Sequence, residues 1–247
     1  MADWNDPQST RTQLGGGPVL NGQVLGAETL DQGLRRHMLS IYNYMASGVL
    51  LSGVIAMLFA RSGMAAQVLT TPLGWVIQLA PLGFVLAMSF GLNKMKTSTL
   101  QALFWGFSVV MGLSLSAIFL IYTGGSIATT FFATAGAFAG LSLVGYTTKR
   151  DLTGMGSFLI MGLIGIIIAS VINIFLKSPG LYWAVSILGV LIFAGLTAYD
   201  TQKLKEQYAY VAGTEMAGKA VVMGALNLYL DFINMFLYLL RFIGDRR

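Results

Sequence analysis

Ten acidic residues are spread over this 247-residue chain. Asp3, Asp6, Glu28 and Asp31 belong to a polar N-terminal stretch, Asp151, Glu206 and Glu215 separate apolar runs, and Asp245 closes the chain. Asp200 and Asp231 differ, because both stand inside apolar runs. A carboxylate at the centre of a bilayer costs about 2.5–3.5 kcal/mol on insertion scales, so such acids are rare and mark functional sites. Around Asp231 the polar residues are ordered: Asn227, Asp231, Asn234 and Tyr238 recur at helical spacing and form one stripe on an otherwise Leu, Ile, Phe and Met surface. A membrane helix with one polar stripe turns it toward protein or water. Asp200 lies in Thr197-Ala198-Tyr199-Asp200-Thr201-Gln202-Lys203, with Thr197 one turn away on its face.

Two carboxyls brought together where water is scarce do not both ionise cheaply, so they share a proton and titrate as a unit. The pair is then a pH-sensitive latch: hydrogen-bonded while it holds the proton, and repelling or cation-seeking without it. Carboxylate and carbonyl oxygens are also what Ca²⁺ prefers, so Asp200 and Asp231 are candidate calcium ligands, with Asn227, Asn234, Tyr238 and Thr197 as polar lining. Depth is the difficulty. Asp231 falls near the middle of its run, whereas Asp200 falls about 10 Å nearer one membrane face by helical rise.

The elements that must position these residues are membrane helices. The chain is 55% hydrophobic and 10% charged, and its mean hydropathy is +0.72; a soluble domain carries roughly 25% charged residues. Seven apolar segments are expected at about 39–60, 73–93, 100–122, 126–146, 156–176, 181–203 and 219–241, each near the roughly 20 residues a bilayer requires. The chain is therefore read as an all-α integral membrane protein, a jacket around its last helix. Thr123-Gly124-Gly125 predicts a tight hairpin turn, and Gly136 and Gly140 have the G-x-x-x-G spacing that lets helices approach. Residues 1–34 are polar and glycine-rich and are expected to form a disordered cytoplasmic tail, leaving 35–247 as the membrane domain. With the N-terminus inside, ten Lys and Arg residues face the cytoplasm and five face outward, as the positive-inside rule prefers. Three of those outward charges, Arg241, Arg246 and Arg247, crowd the C-terminus and strain the rule.

Several classes are excluded. No cysteine is present, so thiol catalysis and cysteine-bound metals are absent. The single histidine, His37, reads as an interfacial or loop residue and cannot build a multi-histidine centre. The net charge of +5 comes without a basic face interleaved with aromatics, which argues against nucleic acid.

Leu228-Tyr229-Leu230-Asp231-Phe232-Ile233-Asn234-Met235-Phe236, followed by Leu239-Leu240-Arg241, resembles the last-helix signature of the Bax-inhibitor family, the transmembrane Bax-inhibitor-motif proteins. Tyr199-Asp200-Thr201-Gln202 resembles the family's sixth-helix motif, and Lys149-Arg150-Asp151-Leu152 its loop between the fourth and fifth helices. The resemblance covers about residues 35–245. It implies six helices around a central seventh, and a pH-governed passive leak for cations, chiefly Ca²⁺, through an aspartate dyad that would here be Asp200 and Asp231. It implies a bacterial inner-membrane location, no enzymatic activity and no cofactor beyond the transported ion. It also implies a basic residue near the end of the second helix as gate counter-charge. Lys94 is the nearest counterpart, a point charge where arginine would grip with two prongs.

Three other readings stay open. A proton-coupled transporter would also place carboxyls in the membrane. A regulator that binds a membrane-protein partner, in stress or cell death, fits the resemblance. An intramembrane aspartyl protease also pairs two aspartates on late helices, but its second one follows Gly-x-Gly, and here Leu228-Tyr229-Leu230 precedes Asp231.

Overall fold

The computed structural model describes residues 19–20, 23–24 and 27–247, with side chains from residue 30 onward. The rest of the expected tail lies outside the described residues. Within that tail β1 (Val19–Leu20) and β2 (Gln23–Val24) pair antiparallel, and helix α1 already begins at Ala27, ahead of the boundary expected at residue 34.

The chain then runs α1 (Ala27–Arg61), a short α2 (Met64–Val68), α3 (Pro72–Gly91), α4 (Thr97–Ile121), α5 (Gly124–Thr147), α6 (Thr153–Leu176), α7 (Pro179–Val211) and α8 (Met216–Ile243). Seven of these, all but α2, are long and apolar enough to cross a membrane. Boundaries follow local chemistry. Pro72 and Pro179 open α3 and α7, where a missing N–H costs nothing. Thr123 caps α5 by accepting the Ser126 N–H at 3.3 Å, which makes the α4–α5 turn as tight as its glycines predict.

Successive spans alternate direction, so the loops carrying Lys94, Arg150 and Gly213 share one end of the bundle. The α4–α5 turn, the α6–α7 turn and the C-terminus share the other. Residues 244–247 are strapped onto that second end. Tyr122 and Arg246 form an antiparallel bridge, and Arg247 N–H donates to Ile121 O at 2.9 Å.

α8 is the inner helix. Of its apolar window 67% is buried, against 11% for α6. Its main wall is α1, α4, α5 and α7, whereas α3 packs chiefly on α4, and α6 on α7. The jacket is thus two-layered, with four principal neighbours in place of a ring of six. On its α1 and α4 side α8 is fixed by Tyr229, which is fully buried and hydrogen-bonded to Ser52 Oγ at 2.6 Å. Ser52 has one proton and uses it on the Ser108 carbonyl at 2.6 Å or the Gly48 carbonyl at 2.9 Å, so Tyr229 is the donor. Phe104 and Phe107 meet its ring edge-on. Large apolar side chains such as Phe90, Phe132 and Phe175 stand outward as a lipid-facing surface.

Two expectations fail here. Gly136 and Gly140 face open space, so their spacing marks no helix contact. The close approach is at Gly145, where an added Cβ would strike the Ala198 backbone, and this brings α5 against α7. His37 is not in a loop: it is buried within α1, its ring 5.1 Å from that of Tyr208.

Candidate functional site

α7 and α8 are antiparallel neighbours joined by a short turn at 212–215. α7 does not stop near residue 203. Leu204 to Val211 carries Lys205, Glu206 and Gln207, which end the apolar run in the sequence, yet it continues the helix. Asp200 therefore lies about 16 Å from the end of α7, and Asp231 about 22 Å from the start of α8, at 1.5 Å per residue. The depth mismatch shrinks to what side chains bridge.

Asp200 and Asp231 meet in one cavity of about 450 Å³. Asn227, Asn234 and Tyr238 line it as well, so the polar stripe of α8 faces this space as its spacing predicts. Exposure falls inward from Lys203, which is exposed, through half-buried Asp200 to buried Asp231. Asp231 Oδ2 finds no hydrogen-bond partner among the described residues. Asn234 is partly occupied, its amide donating to the Leu230 carbonyl at 2.8 Å.

Two expected members stand elsewhere. Thr197 is fully buried, but its hydroxyl donates to the Phe193 carbonyl at 2.8 Å within α7 and does not line the cavity. In apolar surroundings a threonine satisfies itself on its own helix. Lys94 is exposed in the α3–α4 turn and takes no part in the cavity. The cation in the lining is Lys203, one turn beyond Asp200, with its Nζ 5.8 Å from the centre of the Tyr199 ring. An acid and a lysine three apart on a helix are neighbours, and that spacing is the signal in the sequence for Lys203.

A second cavity, of about 730 Å³, opens toward the other end and is lined by Tyr182, Arg241 and Arg246. The two cavities share Ile167 and Tyr238. Tyr238 is held on three sides. It stacks on Phe193 with centroids 5.9 Å apart, Arg241 lies 5.3 Å over its ring, and its ring packs onto Gly189.

From α7, Gln202 clamps the loop before α6. It accepts from Leu152 N–H and donates to Arg150 O, both at 2.8 Å. Asp151 in that loop accepts the Thr153 N–H at 2.8 Å. Hydrogen bonds from the Thr153 side chain and backbone hold its carboxyl below the usual carboxylate range. At the opposite end burial pushes the Tyr122 phenol up, while contact with Tyr122 and then Tyr182 favours the charged form of Arg246.

The arrangement defines a polytopic helical membrane protein whose innermost helix presents an acid to a second acid across a shared cavity. The chain belongs to the Bax inhibitor-1 family: residues 34–247 match the family described as inhibitor of apoptosis-promoting Bax1. It is 51% identical over 222 residues to an uncharacterized Rickettsia prowazekii protein, covering 89% of this chain and 94% of that one. It is 49% identical to an uncharacterized Caulobacter vibrioides protein over 89% and 92% of the two chains. To the Escherichia coli K12 inner membrane protein YbhL it is 47% identical, over 87% and 94%.

Proposed function

We propose that this chain is a passive, pH-sensitive leak for cations, calcium foremost, with Asp200 and Asp231 as ion site and proton sensor. The supporting observation is their position: two acids on neighbouring helices in one cavity, graded from exposed Lys203 to buried Asp231, whose Oδ2 is unpartnered. Sharing a proton, the acids bind each other; without it, they attract a cation from the cavity mouth. Ca²⁺ takes six to eight oxygens, and two carboxyls with two amide side chains reach six only if both carboxyls bind through both oxygens, so water must complete the shell, which suits a passing ion. By likeness to YbhL the membrane is the bacterial inner membrane, and the lysine-rich end is cytoplasmic by the positive-inside rule. The test is Ca²⁺ flux into dye-loaded proteoliposomes between about pH 5 and pH 8. Wild type should leak in a pH-dependent way, and Asp200→Asn and Asp231→Asn should abolish that dependence. Flux no greater than that of empty vesicles at every pH ends the leak reading.

One observation favours a second reading, a proton-coupled transporter. The two cavities open toward opposite ends and meet at Tyr238, as alternating access requires. That reading expects cation movement to stop when the proton gradient is collapsed, whereas a leak continues.

A further inference from the structure

The basic residues at the C-terminal end stand apart from the Asp200–Asp231 cavity, although Arg241 and Arg246 also line the second one, and the positive-inside rule does not account for them. Lys177, Arg241 and Arg246 come from three different places: the α6–α7 turn, the last turn of α8 and the C-terminal strap. They converge on one cavity of about 510 Å³, whose lining contains no Asp or Glu. Ser178 and Pro179, the start of the 33-residue α7, form part of its wall, so the positive end of a long helix adds to the three charges. Charges of one sign around a concave surface focus the potential inside it.

Each basic residue is placed by something other than an acid. Arg246 donates to the Tyr182 hydroxyl at 2.7 Å and lies 5.6 Å over the Tyr182 ring and 5.9 Å over that of Tyr122. Arg241 lies over Tyr238. Lys177 occupies the left-handed region, φ 49°, a conformation glycine adopts more cheaply at a helix end. Lys177 at this position lines the cavity. The bland alternative is that Lys177 and Arg241 merely complement the C-terminal ends of α6 and α8. That explains two charges separately, but not Arg246, nor why all three share one acid-free cavity.

The depth identifies the occupant. This cavity sits where α6 and α7 turn around, at the level of lipid headgroups, and half-exposed Trp183 packs edge-on against Phe242 on its rim. Such aromatics occupy the membrane interface. Guanidinium groups recognise phosphate oxygens in pairs. We propose that Lys177, Arg241 and Arg246 form a binding site for a phosphate group, carried by an anionic phospholipid headgroup or by a free phosphate.

Native mass spectrometry of the full chain in neutral detergent tests this. The probes are dioleoylphosphatidylglycerol, dioleoylglycerol without phosphate, and inorganic phosphate. One phosphatidylglycerol should stay bound, and the Lys177→Gln, Arg241→Gln double variant should retain about tenfold less or worse, having lost two charge-assisted contacts. Both positions are exposed, so the bundle tolerates the change. Lys149→Gln with Arg150→Gln removes the same charge at the other end and should leave retention unchanged. Displacement of the lipid by inorganic phosphate assigns the site to free phosphate, and persistence assigns it to lipid. Equal retention of dioleoylglycerol, or equal loss in the two double variants, overturns the proposal.

Discussion

Tyr238 packs directly onto Gly189. A Cβ built on Gly189 would lie 2.5 Å from Cγ and Cδ1 of the ring. Those atoms are at the base of the side chain, so the ring cannot swing away without leaving Phe193. Gly189→Ala gains roughly 1 kcal/mol of helix propensity but overpacks a contact whose relief costs about 1–3 kcal/mol. The clash wins. Gly189→Ala should lower the thermal midpoint in detergent, and the same substitution made in a Tyr238→Ala background should cost much less, since the clashing ring is gone; equal midpoints for wild type and the single variant would show that the contact is not tight.

Tyr238 also separates the two cavities. Tyr238→Ala should join them, whereas Tyr238→Phe keeps the ring and should change little. The chain contains no cysteine, so Asn234→Cys gives a single reporter thiol without further engineering. In the parent background a membrane-impermeant thiol reagent added at the Arg246 end should leave it unmodified. With Tyr238→Ala the same reagent should label it. Labelling in both backgrounds would mean that the ring divides nothing, and this readout is independent of whether calcium flows.

On the leak proposal, the Lys203 ammonium in the cavity lining repels a cation arriving at Asp200. Lys203→Gln should then raise calcium flux, or tighten half-saturation, by about threefold, the scale of a partly solvated charge interaction. Lys94→Gln should leave both unchanged, since Lys94 stands in the α3–α4 turn away from the cavity. The reverse pattern in proteoliposome flux would restore Lys94 as the counter-charge.

The contrast between these two lysines shows what the sequence makes legible. The seven spans could be read because each is a long apolar run, and the stripe Asn227–Asp231–Asn234–Tyr238 because helical spacing is local. The meeting of Asp200 with Asp231 was harder to see, since it depends on α7 continuing through Leu204–Val211, where polar residues end the hydropathy signal but not the helix. Thr197 shares Asp200's face by spacing, but the Phe193 carbonyl claims its proton. Gly136 and Gly140 have a packing motif's spacing on a face that meets nothing, while Gly145 carries the contact and no motif marks it. Tertiary proximity decides each of these cases, and spacing along one helix does not encode it.

Gln202 is buried and spends its whole amide on the loop before α6. Gln202→Ala leaves the Leu152 N–H and Arg150 carbonyl without these partners and should cost about 1–3 kcal/mol. Gln202→Glu keeps the acceptor for Leu152 but sets an oxygen against the Arg150 carbonyl, so it should recover only part of the loss. Thermal unfolding in detergent checks the order: wild type above Gln202→Glu, and Gln202→Ala lowest.

Asp151 gives the same loop a pH dependence whose sign is determined. Its carboxylate is stabilised in the folded state by the Thr153 hydroxyl and backbone N–H, so its folded pKa is depressed below the unfolded one. A depressed acid contributes stability above its unfolded pKa and loses it as pH falls through the folded value. Asp151→Ala should therefore lower the thermal midpoint at pH 7, and the gap to wild type should narrow as pH drops below about 4. Asp151→Asn retains an oxygen for the Thr153 N–H but carries no charge, so it should fall between the two at pH 7, and its gap to wild type should narrow over the same pH range because wild type alone carries the titrating group. A gap that stayed constant down to the lowest pH would assign the whole effect to helix capping and none to the charge.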